Sequence, residues 1–140
     1  MQVSVGDAIP DWDMPRVAPE RMRTMAAILR DPNPVHWDRK TVAKLGYGDR
    51  TINQGPLGLS YMVNMLHEWA GPYCIRRLVM RFPQVVLDED HVIAQGGVTA
   101  LREEDGQRLA DCDIWLYFEG EGDRKGRLLE GTASIRLPAD

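Results

Sequence analysis

The segment RDPNPVHWD, residues 30–38, places a carboxylic acid and an imidazole five positions apart on a backbone that contains two prolines. Asp31 is followed by Pro32, and His36 comes two residues after Pro34. Proline fixes its own φ and restricts the residue before it, so a stiff loop holds both side chains. A carboxylate and an imidazole exchange protons near neutral pH and can share one water molecule if their tips converge. The segment therefore predicts acid–base chemistry on water.

The same residue types also have a purely structural interpretation. Asp-Pro and Asn-Pro sequences form turns, and a single loop histidine is commonly solvated or hydrogen-bonded to the backbone. Asp38 stands where it can cap the helix that follows. The segment taken alone leaves catalysis and turn formation as alternatives.

In the first half of the chain the apolar residues recur with helical spacing, which predicts three helices around this loop. One apolar stripe runs through PERMRTMAAILRD and predicts a helix that stops at Asp31, because a proline follows. Asp38 caps a short helix in RKTVAKLG, which Gly46 closes. A longer helix in PLGLSYMVNMLHEWAGP begins near Pro56 and ends at Gly71, and its broad apolar face predicts burial.

After residue 72 the hydrophobic residues alternate. RLADCDIWLYFE and LLEGTASIRL predict half-buried antiparallel strands, and CIRRLVMRF and HVIAQGGVTALRE complete a meander of about four strands. A long buried helix followed by such a sheet predicts an α+β fold, in one domain over residues 1–140, with the sheet wrapped around the helix. A single sheet leaves an edge uncovered, so we expect pairing with a second copy or a similar subunit.

Composition argues against several other classes of protein. The formal charge of −4 provides no basic surface for a phosphate backbone, so nucleic acid is not an expected partner. No stretch approaches the roughly 20 apolar residues that span a bilayer, and the N-terminus lacks a leader pattern, so we expect no membrane partner and a cytoplasmic location. Cys74 and Cys112 lack CxxC spacing and are predicted to be buried, unpaired side chains.

DPNPVHWD fills every position of the pattern Asp-x-Asn-Pro-aliphatic-His-x-Asp. It resembles the MaoC-like dehydratases, also called R-specific enoyl-CoA hydratases or hydratase 2 proteins, and the resemblance extends over nearly the whole chain. It implies a hot-dog fold, in which an antiparallel sheet wraps a long central helix. It also implies an enzyme that adds water to a trans-2-enoyl-CoA or, in reverse, dehydrates a 3-hydroxyacyl-CoA. No cofactor is implied, because coenzyme A is part of the substrate.

The resemblance also implies roles for individual residues. Asp31 and His36 would hold and activate the water, and Asn33 would fix the loop beside the substrate. The thioester oxygen gathers negative charge as the enolate forms, so a backbone N–H at the positive start of the central helix is suited to stabilise it. We assign that donor to Gly55.

The chain departs from the usual family pattern just before the central helix. Relatives typically read His-Gly-Met there, whereas this chain has Gln54-Gly55-Pro56, and Pro56 has no N–H to donate. Gln54 is therefore a candidate for contact with the substrate. The run INQGPLGLSYMVNMLHEWAGP, followed by IRRLVMRF, is also similar to the small subunit of heteromeric MaoC-like hydratases that act on steroid side-chain enoyl-CoA esters. That similarity implies a bulky acyl group and a second hot-dog subunit.

Other polar residues have weaker functional interpretations. Arg76, Arg77 and Arg81 are candidates for the phosphates of coenzyme A, because a guanidinium fork matches phosphate geometry, although solvated strand charges are the alternative. His67 and His91 are expected to be structural or solvated. Neither belongs to a cluster with metal-ligand spacing, so no metal site is predicted.

Three functions remain open from the sequence. The first is an enoyl-CoA hydratase that acts on an acyl-CoA as a homodimer or as a heteromer with a second hot-dog subunit. The second is a hot-dog acyl-CoA thioesterase, in which water attacks the thioester carbonyl instead of the double bond. The third is a non-catalytic partner subunit, which the unusual Gln-Gly-Pro sequence suggests.

Overall fold

A five-stranded antiparallel sheet and one long helix make up most of the fold. The structure, a computed structural model, describes residues 1–139. The strands are β1 (Ala8–Met14), β2 (Ile75–Arg81), β3 (Val92–Glu104), β4 (Gln107–Phe118) and β5 (Gly126–Arg136). The helices are α1 (Pro19–Leu29), α2 (Arg39–Lys44) and α3 (Gly55–Ala70), and a 3₁₀ turn spans Pro34–His36. The strands lie in the order β1-β3-β4-β5-β2.

The sheet curves around α3, as the sequence predicted. The buried residues of α3 recur every three or four positions and include Met62, Met65 and Leu66. On β4 every second residue from Ala110 to Phe118 is buried, so one face of this strand packs in the core while the other stays accessible. The α+β arrangement with a wrapped central helix is therefore confirmed.

Two features of the sheet differ from the prediction. β1 was not predicted, because only Ile9 and Met14 of this strand are buried and a register shift between Ile9 and Trp12 breaks the alternation. The meander is correct for β3, β4 and β5 but wrong for β2, which pairs with β5 at the far edge. The segment 82–91 between β2 and β3 is long enough to cross the fold, so neighbours in sequence need not pair.

The smaller predictions on local structure are confirmed. Asp38 caps α2 by accepting hydrogen bonds from the Lys40 N–H at 3.0 Å and from the Thr41 hydroxyl at 2.7 Å. Cys74 and Cys112 are both buried and unpaired. No helix within residues 1–139 is long and apolar enough to cross a membrane.

The end of α1 leads directly into the loop that carries Asp31. The helix ends at Leu29, slightly before the predicted stop, because Arg30 takes the left-handed conformation with φ 51°. The Arg30 N–H donates to the carbonyl of Ala27 at 3.2 Å, and the Asp31 N–H donates to the carbonyl of Ala26 at 2.9 Å. This is a Schellman motif, which usually has glycine at the left-handed position. Arg30 therefore occupies a strained backbone conformation beside a candidate catalytic residue.

Replacement of Arg30 by glycine should stabilise the protein. Glycine removes the left-handed penalty of about 1–2 kcal/mol. It also costs about 0.5–1 kcal/mol, because the unfolded chain gains conformational freedom. The net effect of Arg30→Gly should be to raise the free energy of unfolding by about 0.5–1 kcal/mol. Urea denaturation measures the change. Arg23→Gly, at an exposed position inside α1, is the matched control and should lower stability by about 1 kcal/mol. A loss of stability in Arg30→Gly would mean that the left-handed penalty is smaller than the entropy cost of glycine.

Candidate active site

Asp31 and His36 come together at their side-chain tips. The Nε2 atom of His36 lies 3.2 Å from Oδ2 of Asp31. The side chains are 14% and 31% exposed, respectively, so the pair is largely shielded from bulk solvent but still reachable from one side. The stiff loop thus brings together the two groups that the sequence singled out.

Asn33 organises the loop between the two groups. Its backbone N–H donates to Oδ1 of Asp31 at 3.0 Å, and its own side-chain oxygen accepts from the Val35 N–H at 3.3 Å. The first bond occupies one oxygen of the Asp31 carboxylate and leaves Oδ2 facing His36. The second bond caps the 3₁₀ turn that carries His36. Asn33 therefore holds the loop with two hydrogen bonds, and its contact with a substrate stays a prediction.

The main chain before α3 determines which ring nitrogen of His36 carries the proton. Nδ1 of His36 lies 2.7 Å from the carbonyl oxygen of Ile52. A carbonyl only accepts, so Nδ1 is the donor and the neutral ring keeps its lone pair on Nε2. Nε2 and Asp31 Oδ2 are then two acceptors that face each other. A water that donates one hydrogen to each would be held with its oxygen lone pairs free.

A cavity of about 280 Å³ lies at the start of α3. Its walls are mainly apolar and include Ile52, Phe82, Val85 and Leu129. Ile52 connects the cavity to the pair, because the residue lines the cavity while its carbonyl holds His36. Neither Asp31 nor His36 lines the cavity itself, so the contact between the pair and the cavity wall runs through Ile52.

Gly55 and Gln54 both line this cavity. Gly55 is the first residue of α3, where backbone N–H groups have no partner within the helix and the helix dipole is positive. A Cβ at position 55 would stand 3.3 Å from the Phe82 ring, so the absence of a side chain lets the ring approach the backbone. Gln54 is 1% exposed, and its Nε2 donates to the carbonyl of Met22 at 2.8 Å, so this amide mainly anchors α1.

The three arginines of β2 are not brought to the cavity. Arg76 donates to Gln107 at 3.0 Å, and Arg81 forms an ion pair with Glu130 at 2.9 Å. Arg77 lies in a separate depression that Asp111 also lines. None of the three lines the cavity at the start of α3, and their contact with coenzyme A stays a prediction.

Two buried carboxylates behind the cavity were missed by sequence reasoning. Asp88 is fully buried and accepts from the Thr51 N–H at 2.8 Å, from the Thr51 hydroxyl at 2.6 Å and from Arg39 at 3.1 Å. Burial alone would raise the pKa of Asp88, but the bonds from Thr51 and Arg39 outweigh it and hold the pKa below its ordinary value. Asp90 pairs with Arg50 at 3.1 Å. The sequence signal was weak, since LDED looks like a solvated turn.

The remaining histidines and metal-type residues lie elsewhere. Nε2 of His91 lies 2.5 Å from Oδ1 of Asp13, in a partly exposed pair between β1 and the start of β3. His67 lies in the last turn of α3. Within residues 1–139, no group of three or more His, Cys, Asp or Glu side chains could hold a metal ion.

The chain belongs to the family of the MaoC-like domain, which matches residues 7–111. Among solved structures it resembles the (R)-hydratase from A. caviae involved in PHA biosynthesis, with 26% identity and a TM-score of 0.83 over 97% of this chain and 98% of that one. It also resembles the unliganded R-hydratase PhaJ1 from Pseudomonas aeruginosa, with 19% identity and a TM-score of 0.84 over 99% and 84% of the two chains.

A third similar structure is the ChsH1–ChsH2 complex from Mycobacterium tuberculosis, with 19% identity and a TM-score of 0.81 over 98% of this chain and 100% of that chain. A comparison with curated protein sequences gives no match. Together with the wrapped five-stranded sheet, these similarities confirm the hot-dog fold.

The depressed pKa of Asp88 predicts a stability that falls in acid. Because the folded-state pKa lies below the ordinary 3.8, ionised Asp88 stabilises the fold above that pH, and the contribution is lost as the pH falls through the folded-state value. Asp88→Asn should lower the free energy of unfolding by about 2 kcal/mol at neutral pH. The difference from the native protein should shrink as the pH falls below the ordinary carboxyl pKa of 3.8.

Urea denaturation at several pH values measures both curves. Asp113→Asn is the control, because it makes the same chemical change at an exposed carboxyl and should leave the free energy of unfolding at neutral pH nearly unchanged. Parallel curves for Asp88→Asn and the native protein would mean that ionised Asp88 does not stabilise the fold.

Proposed function

We propose that this protein is an enoyl-CoA hydratase, which adds water reversibly across the double bond of a trans-2-enoyl-CoA. The observation that carries the proposal is the convergence of Asp31 and His36, whose tips lie 3.2 Å apart beside Ile52, a residue that lines an apolar cavity. Membership of the MaoC-like family and the likeness to the (R)-hydratase from A. caviae support it.

The two side chains can divide the proton transfers between them. Water held between Asp31 Oδ2 and His36 Nε2 forms a bond from its oxygen to the β carbon, and its proton passes to Nε2. The double-bond electrons move to the thioester oxygen as an enolate, and the α carbon then takes a proton from the same pair. Positive charge on His36 would lie between the Asp31 carboxylate and the Ile52 carbonyl, and both stabilise it.

The enolate oxygen needs a donor, and Gly55 is the proposed one. Its N–H stands at the start of a helix that runs to Ala70, and Pro56 supplies no competing donor. One such backbone donor contributes about 2.7–4 kcal/mol to the transition state. The proton transfers and this one hydrogen-bond donor account for every step of the proposed reaction. No step needs an electron carrier or a metal, so we propose that no cofactor is required.

The acyl group would occupy the apolar cavity beside the pair. About 280 Å³ suits a short or medium chain, and a steroid side-chain ester would need further room from a second subunit. We propose that such a subunit, either a second copy or another hot-dog chain, pairs along the free edge of β2. Exposed Phe82 and Val85 follow this strand and line the cavity, so a partner there would close it. Because coenzyme A esters are made inside cells, we also propose a cytoplasmic location.

Substitution of either member of the pair should abolish hydration. Asp31→Asn removes the charge that holds the water, and His36→Ala removes the base, so each should lower kcat by at least about 100-fold while the protein stays folded. The loss of enoyl-CoA absorbance with short-chain and steroid side-chain esters measures the rate. His91→Ala is the matched control, since it removes a histidine of the other His–Asp pair, and it should keep full activity.

A measurement of free thiol in the same assay distinguishes a hydratase from a thioesterase. Release of free coenzyme A would identify a thioesterase, whereas consumption of the double bond without thiol release identifies a hydratase. Full hydration by Asp31→Asn and His36→Ala in a complex with a second hot-dog chain would show that this chain is a non-catalytic partner.

A charge beside the β2 edge should prevent subunit pairing. We expect the native protein to have twice the mass of one chain in light scattering, and Phe82→Asp to have the mass of one chain, because an aspartate would be desolvated in the interface. Tyr117→Asp changes a similarly exposed aromatic on β4 and should leave the mass unchanged. A dimeric Phe82→Asp protein would place the interface elsewhere.

A further inference from the structure

Asp88 lies between the two segments whose relative position sets the orientation of His36. Arg39 follows His36 by three residues, and Thr51 directly precedes Ile52, whose carbonyl holds Nδ1 of His36. The Asp88 carboxylate binds both Arg39 and Thr51. We propose that Asp88 is a positioning residue for the catalytic pair: it holds the Ile52 carbonyl against His36 and thereby keeps the lone pair of Nε2 directed at the water.

The contacts of Asp88 are suited to this role. Its Oδ2 accepts from the backbone N–H of Thr51 at 2.8 Å and from the Thr51 hydroxyl at 2.6 Å, and Arg39 donates from two nitrogens at 3.1 and 3.3 Å. These donors satisfy a carboxylate that has no access to solvent. A buried carboxylate with these partners cannot rotate without losing charge-assisted hydrogen bonds.

The main chain completes a two-sided clamp on Ile52. The backbone N–H of Asp88 donates to the Thr51 carbonyl at 2.9 Å, and Ile52 forms an isolated antiparallel bridge with Leu87. On the other side, the Ile52 N–H donates to the carbonyl of Val35 at 2.8 Å. Ile52 is thus held between the segment that carries Asp88 and the segment that carries His36.

Loss of this clamp has a defined chemical consequence. If the Ile52 carbonyl moves away, Nδ1 of His36 loses its acceptor and the ring is free to carry its proton on Nε2 instead. An Nε2–H would donate directly to the Asp31 carboxylate and occupy the place of the water. The pair would then lose its base without losing either side chain, so kcat should fall while KM changes little.

Asp90 provides a matched control for a purely structural role. It is 2% exposed and accepts from Arg50, Arg124 and the Leu87 N–H. An asparagine keeps an oxygen that can accept from Leu87, and neither arginine belongs to the segment that carries His36. Asp90→Asn should therefore lower stability without changing His36. Asp88→Asn should change both.

The direct test is NMR of the protein with ¹⁵N-labelled histidine, which has three histidines in all. His36→Ala assigns the His36 signals. We expect Nδ1 to be protonated in the native protein and in Asp90→Asn, and both nitrogens to be partly protonated in Asp88→Asn. Arg39→Gln, at a mostly exposed side chain, should change the signals in the same direction and provides the test if Asp88→Asn does not fold.

Steady-state kinetics provide the second arm of the test. Asp88→Asn should lower kcat for enoyl-CoA hydration roughly 10- to 100-fold with KM within about twofold of the native value, as expected for a small misplacement of a catalytic group. Unchanged His36 signals and unchanged kcat in both Asp88→Asn and Arg39→Gln would overturn the proposal. The kinetic arm rests on the proposed hydratase function, whereas the NMR arm does not. Full turnover by His36→Ala would therefore refute the catalytic role of His36, while the spectra still decide the role of Asp88.

Discussion

The hydrogen bond from Nδ1 of His36 to the Ile52 carbonyl is the contact on which the candidate site depends. It joins the proline-rich loop to the segment that leads into α3, at a distance of 2.7 Å. Without it, the ring has no preferred tautomer and the loop has no fixed place beside the cavity. With it, one main-chain oxygen determines where the basic lone pair lies, how the ring faces Asp31 and how far both groups stand from the start of α3.

The surrounding fold adds support to a loop that its two prolines already stiffen. α1 ends in a Schellman motif that gives the chain a fixed exit angle, α2 is capped by Asp38 directly after the loop, and the buried carboxylate of Asp88 holds the far side. The sheet packs against α3 and fixes the start of that helix. Each support comes from a different element, so the position of the pair reflects the whole fold rather than the loop alone.

Sequence reasoning found the candidate pair, Asp31 and His36, because its information is local. Two prolines between Asp31 and His36 restrict the backbone, and the residue types reveal the chemistry. Ile52 could not be found in this way, because its contribution is a main-chain carbonyl that every residue possesses. Asp88 was missed since its partners lie far away in the sequence, and an acid in a turn is usually solvated. β1 was missed for a related reason. Only two of its residues are buried, so its sequence shows no alternation of apolar and polar residues.

Phe82 and Val85 belong at once to the cavity wall and to the surface that flanks the free edge of β2. In the proposed function, a substitution at either position changes the acyl pocket and the fit of a neighbouring chain together. Under that proposal, substrate range and choice of subunit are linked, because the same two side chains affect both. Asp31 and His36, the proposed proton-transfer groups, do not line the cavity, so a new partner subunit could change the substrate while the proposed chemistry stays the same.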